Sequence, residues 1–139
     1  MATTTATITL ASGDLLDNSI SISKTATLTT AGTDTGITKT TGLATRTFTS
    51  GSNVVLLDSG AGIAADVSTD KSAKVFIKNT NDRGDGTKYV LVLLTAVEIG
   101  RLYGGDWMFI PWSGGTGKDI EVTPSDTTET TLEYMAFFE

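Results

Sequence analysis

Residues Lys74 to Thr95 read KVFIKNTNDRGDGTKYVLVLLT, and the fold class turns on them. Lys74-Val75-Phe76-Ile77-Lys78 sets β-branched and aromatic residues between lysines, which suits a strand. Asn79 to Thr87 concentrates turn formers. Lys88 to Thr95 is a nearly continuous apolar run that predicts a strand buried on both faces. Together the three segments predict a β-hairpin with a long tip.

The downstream chain repeats the alternation of short apolar runs and turns. Val97 to Tyr103 is ambiguous and admits one helical turn. Gly104-Gly105-Asp106 is a turn signal leading into Trp107-Met108-Phe109-Ile110, which Pro111 confines to a sheet edge or a strand end. Ser113 to Lys118 is a loop. Asp119 to Val122 and Thr131 to Phe138 complete a pair of strands, the second with Leu132, Tyr134, Ala136 and Phe138 on one face. Upstream, Arg46-Thr47-Phe48 and Val54 to Leu57 add strands. Nearer the start, Thr5 to Leu10, Ile20 to Ser23 and Ala26 to Thr29 alternate apolar with hydroxyl side chains, giving each a greasy and a hydroxylated face. Nine or ten short strands with turn signals every 8–12 residues predict an all-β, antiparallel β-sandwich or jelly-roll-like single domain over 1–139. It divides into a possible N-terminal arm (1–12), Thr/Gly-rich strands (13–70) and aromatic-rich core strands (71–139).

The aromatics locate the core. Nine of ten follow Lys74, and Phe48 is the exception. Aromatic burial stabilises several times more than the methyls of Ala and Thr at about 25 cal/mol per Å². The second half therefore carries the core, and residues 1 to about 30 depend on a neighbour.

Composition removes much chemistry. With no Cys and no His among 139 residues, thiol nucleophiles, Ser-His-Asp triads and nearly all zinc, copper and haem sites are excluded, and no cofactor or metal is expected. Ten Lys+Arg against 16 Asp+Glu give a formal charge of −6, which argues against binding nucleic acid through its phosphates. No segment approaches the roughly 20 apolar residues of a membrane span, and Met1 to Leu10 interrupts every apolar residue with Thr, so a soluble chain without a leader is expected.

Several strings resemble functional motifs. Val54 to Ala65 holds a strand followed by G-x-G-x-x-A, but Asp66 to Asp70 is a poor helix former, so an inter-strand loop is the better interpretation. Trp112 to Asp119 (WSGGTGKD) misses two positions of a phosphate loop. Arg83-Gly84-Asp85 is an RGD triplet in a polar loop, hence a possible surface-loop contact, although the same residues serve any turn tip. Asn79, Asn81, Asp82 and Asp85 are oxygen-rich, with the order of a calcium loop broken by Arg83. Thr-x-Thr recurs at 5/7/9, 25/27/29 and 45/47/49, as on ice-binding faces, but glycines interrupt the ranks. Asp106 beside Trp107 sets an acid next to a sugar platform, as a carboxylate hydrolase would need. None of these outweighs the expectation that the chain is not an enzyme.

The segments KVFIK (Lys74–Lys78), IGRLYGGDWMFIPW (Ile99–Trp112) and EYMAFFE (Glu133–Glu139), with the Thr/Ser/Ala/Gly-rich first half, resemble small virion structural proteins of tailed bacteriophages. The likeness is one of composition and strand style over most of the chain. It implies a capsid decoration, or cement, protein with a sandwich or jelly-roll domain, on the capsid surface of the virion, forming a homo-oligomer, most often a trimer, on the major capsid protein. A tail or fibre component, or an adhesin binding a host glycan or receptor, is the alternative. Thr3, Thr5, Thr7, Ile8 and Leu10 are the residues expected to form the assembly arm, adding a strand to a neighbour's sheet.

Overall fold

A computed structural model describes residues 3–13, 20–29, 39–49, 51–60, 73–84, 88–113, 117–125 and 129–138. Every regular element among them is a strand: β1 (Thr3–Ser12), β2 (Ile20–Thr29), β3 (Lys39–Thr40), β4 (Ala44–Phe48), β5 (Val54–Leu57), β6 (Ala73–Asn79), β7 (Tyr89–Leu94), β8 (Val97–Tyr103), β9 (Trp107–Trp112), β10 (Ile120–Pro124) and β11 (Thr130–Phe138). The chain forms two compact units, Met1–Thr38 and Lys39–Glu139, and each is described by itself.

The first unit is an antiparallel pair. β1 and β2 run in unbroken register from Thr3 opposite Thr29 to Ser12 opposite Ile20. Ile20 to Thr29, read from the sequence as two short segments, is one continuous strand, because Lys24 and Thr25 keep the alternation between them. Period-two patterning in both strands separates a hydroxyl face from an apolar one. On the hydroxyl face Thr7 and Thr25 share a hydrogen bond of 2.9 Å, and Thr9 and Ser23 one of 3.5 Å.

The second unit is an antiparallel β-sandwich, as the strand pattern predicted. One sheet has the order β5-β10-β7-β8. The other has the order β3-β11-β6-β9, with β4 following β3 along the same edge of β11. The two sheets pack face to face around Val75, Ile77, Val90, Val92, Leu102, Ile120, Val122, Leu132, Ala136 and Phe138, closed by Phe48, Leu56, Leu57 and Trp112. From β4 to β11 the chain changes sheet at every step except β7 to β8. The inward faces follow from alternation: Leu132, Ala136 and Phe138 are buried as expected, and Tyr134 packs against them. Three buried core members, Phe48, Leu56 and Leu57, precede Lys74, so the core draws on more of the chain than the aromatic count implied.

Irregularities account for the departures from simple alternation. A register shift between β5 and β10 leaves Leu56 unpaired opposite Ile120 and Glu121. The extra residue turns both Leu56 and Leu57 inward, where strict alternation would expose one of them. A comparable shift at Ile99 interrupts β8 against β7. Where β3 gives way to β4, Gly42 has φ +73° and the hydroxyl of Thr41 takes over from the ladder. It accepts the Ala136 N–H at 2.9 Å, while Thr41 N–H donates to Ala136 O at 3.1 Å.

Three local expectations are corrected. The segments either side of Asn79 to Thr87 form no hairpin: β6 lies in one sheet and β7 in the other, so the loop is a crossover. Nine residues separate Asn79 from Tyr89, enough chain to cross the roughly 10 Å between packed sheets, and each strand is paired on both sides in its own sheet, β6 with β11 and β9 and β7 with β10 and β8. β10 and β11 likewise belong to different sheets. Val97 to Tyr103 is strand β8, closing a tight hairpin with β7 through Thr95 and Ala96, at φ 48° and 64°. That turn is conventionally signalled by Asn-Gly or Gly-Gly, and neither is present. β9 is a sheet edge, one of the two placements that Pro111 left open.

Candidate assembly surface and loop sites

The residues expected to form an arm all lie on β1, but β1 is one half of a hairpin rather than a lone extended segment. Thr3 opens the strand opposite Thr29, and Thr5 and Thr7 pair with Thr27 and Thr25. Ile8 and Leu10 lie on the other face, opposite Lys24 and Ile22. Ile8 is 40% exposed, Leu10 56% and Ile22 46%, which leaves a narrow aliphatic strip with Lys24 in it. Neither strand has a second partner among the described residues, so the outer edges of both offer N–H and C=O groups to a further strand. Ile22 and Lys24 were missed as members of this surface. The signal was present: two ten-residue alternating stretches flank Gly13 to Asn18, a segment containing the turn formers Gly13, Asp14 and Asn18.

A two-stranded hairpin in water is marginal by itself. Fully covering an Ile or Leu contributes about 1.5–3 kcal/mol, so covering the exposed halves of three such residues contributes about 3 kcal/mol. That is less than the roughly 4 kcal/mol of a millimolar complex, before association costs.

The chain leading into the RGD triplet is anchored to its neighbours, while Arg83 and Gly84 themselves are exposed. Asn79 is buried, donates from Nδ2 to Leu102 O at 3.1 Å and accepts the Asn81 N–H on Oδ1 at 3.1 Å. Asn81 donates to Glu129 O at 2.9 Å and accepts the Thr131 N–H at 3.1 Å. Of the four residues read as potential calcium ligands, Asn79 and Asn81 therefore give their side-chain oxygens to backbone N–H groups. Arg83 pairs with Asp106 at 3.5 Å, and Asp106 also accepts the Tyr103 N–H at 3.1 Å, closing the turn into β9. Gly84 is exposed and Asp85 lies outside the described residues. Gly104 is buried beneath this loop: a Cβ there would overlap the Asp82 carbonyl oxygen and lie 2.7 Å from that of Asn81.

The string Trp112 to Asp119 is bound at its ends by structural contacts. Trp112 Nε1 donates to Lys118 O at 2.6 Å. Asp119 accepts the Ser59 hydroxyl at 2.6 Å and the Ser59 N–H at 2.8 Å. The hydroxyl first and the backbone bond second hold the Asp119 carboxyl below its ordinary value. Of the nucleotide-like string, Gly60 donates its N–H to Asp58 at 2.7 Å, a local turn, and residues 61–65 lie outside the described residues.

No protein-family model matches the chain, and no curated protein matches it either.

Proposed function

We propose that the chain is a non-enzymatic structural protein of a phage virion: a capsid decoration (cement) protein that sits on the capsid surface, assembles as a trimer on the major capsid protein and stabilises the head. The observation that carries this reading is the β1–β2 hairpin, with a half-exposed aliphatic strip and two edges that no other strand among the described residues pairs with. Such an element gains most of its stability from a neighbour, and the few kcal/mol available per hairpin suit a lattice in which each copy engages several others. The likeness to small virion proteins of tailed phages supplies the setting. The winding of the second unit supports it: orders β4-β11-β6-β9 and β5-β10-β7-β8 fit a jelly roll, an architecture used by viral capsid domains.

The test is to mix the purified chain with undecorated phage heads and sediment them. The reading expects saturable co-sedimentation at a fixed number of copies per capsomer and heads that resist heat better. Heads that neither retain nor are stabilised by the protein would overturn it, and retention on tails or host cells would assign the chain to a tail, fibre or adhesin role.

A further inference from the structure

We infer that the outer face of the β11-β6-β9 sheet is a docking surface for a second copy of this chain, separate from the assembly hairpin. Along β6, Val75 and Ile77 are fully buried, so Phe76 between them and Lys78 beyond them point away from the core. Register carries that outward face across the sheet. Phe76 lies opposite Phe109 on one side and Met135 on the other, and Lys78 lies opposite Trp107 and Glu133. All six residues sit inside strands. The outward face of an antiparallel sheet is ordinarily polar; here three apolar side chains cross it in one row, with Trp107, 50% exposed, in the next.

The rings hold one another in place. Phe76 and Trp107 lie with centroids 6.5 Å apart, and Phe109 meets the Phe137 ring edge-on at 6.2 Å. A face built this way needs little ordering on association, which removes one of its costs. The charges on it are uncommitted. Lys78 and Glu133 are directly opposite on neighbouring strands, yet neither makes an ion pair or side-chain hydrogen bond among the described residues. Elsewhere on the surface Arg101 pairs with Glu98 and Arg83 with Asp106.

This arrangement is complementary to itself, which selects the occupant. A two-fold axis in the interface, parallel to the strands and midway between β6 and β11, sets each Glu133 against Lys78 of the other copy and each Met135 against its Phe76. An axis along β6 itself would oppose Lys78 to Lys78. With the first axis, Trp107 and Phe109 fall over the β3–β4 edge of the other copy, where Leu43 is 62% exposed. A small polar ligand, by contrast, finds no hydrogen-bond partner across Met135, Phe76 and Phe109. Four strands wide at about 4.8 Å each and three outward residues long at about 6.8 Å each, the face covers about 400 Å². That is about half the roughly 800 Å² that each partner buries in a standard interface, so the dimer is weak, with a Kd on the order of 100 µM.

The experiment is sedimentation equilibrium of the full chain from about 10 µM to about 1 mM, a range that brackets this Kd. Wild type should pass from monomer to dimer across it. Lys78→Glu and Glu133→Lys should each weaken dimerisation about tenfold, because two exposed ion pairs per dimer become repulsive. Mixed in equal amounts, the two variants should dimerise with each other as tightly as wild type does, since every opposition in the mixed dimer is again between unlike charges. That recovery also shows that both variants are folded. Leu10→Asp with Ile22→Asp, on the hairpin, should leave dimerisation unchanged. A chain that stays monomeric throughout, a dimer indifferent to both charge reversals, a mixture no tighter than either variant alone, or a dimer abolished by the hairpin changes would overturn the assignment.

Discussion

Replacing Gly104 by Ala tests how the loop end is built. A Cβ at this position would overlap the Asp82 carbonyl oxygen, 2.5 Å from its carbonyl carbon and 2.7 Å from the carbonyl oxygen of Asn81. All three are backbone atoms. They can retreat only if the loop gives up some of its anchors, which include the bonds from Asn79 N to Asp106 O and from Gly105 N to Asn79 O, both 2.9 Å, and the amide bonds of Asn79 and Asn81. Two or three bonds at about 1 kcal/mol each, or the 1–3 kcal/mol typical of overpacking, give a loss of about 3 kcal/mol. At about 4 °C per kcal/mol for a unit near 100 residues, Tm should fall by about 12 °C. Gly105, its neighbour, is the control. Its φ is +82° and nothing lies within 4 Å of an added Cβ, so Gly105→Ala meets only the left-handed backbone cost of about 1–2 kcal/mol, partly offset through the unfolded chain. Thermal and urea unfolding of both variants would decide. A Gly104→Ala protein within about 1 kcal/mol of wild type, or one more stable than Gly105→Ala, would refute the packing argument.

Further outcomes follow from other parts of the molecule. Leu10→Asp with Ile22→Asp should leave the unfolding midpoint of the second unit unchanged while abolishing co-sedimentation with heads; retained co-sedimentation would separate the strip from assembly. The Asp119 carboxyl is depressed in the folded chain, so its contribution is present above the ordinary carboxylate value of about 4 and is lost as pH falls through the folded value. Melts at pH 7 and pH 3 should therefore differ less for Asp119→Asn than for wild type, and an identical difference would show that the Ser59 contacts add nothing. Ala96→Gly relieves a φ of 64° and should stabilise by about 0.5 kcal/mol, the left-handed cost less the added unfolded-state entropy, measured as a higher urea midpoint. A lower midpoint would mean the turn is unstrained.

The strands were legible because alternation of β-branched and apolar residues is local, and Pro111, lacking an N–H, limited its strand to a sheet edge or a strand end. Sheet membership was not legible. Val75 and Ile77 on β6 and Val90 and Val92 on β7 are equally apolar, and the sequence does not state whether they pair or face one another. β8 was obscured because Thr95 and Ala96 take left-handed conformations that their side chains do not advertise. Their turn is sustained by bonds from elsewhere: Thr95 N–H to Asp119 O at 3.0 Å and Ala96 N–H to the Glu121 carboxylate at 2.9 Å. The hairpin was half legible. The alternation of Thr5 to Leu10 identified a surface with one greasy face, but its partner strand supplies Ile22 and Lys24 and converts an arm into a ladder.

Hydrogen exchange of β1 tests the assembly account most directly. In an antiparallel pair, alternate residues direct N–H and C=O groups towards the partner strand and the others direct them away. In the free protein, amides from Thr3 to Ser12 should accordingly split into two classes, those bonded to β2 with modest protection and those on the outer edge with none. On decorated heads the outer-edge class should become protected and the inner class should slow further, because a neighbour's strand has paired with the edge and covered Ile8, Leu10 and Ile22. Identical exchange of both classes in the free and head-bound states would contradict the account, and would make the hairpin a feature of the protomer with no part in assembly.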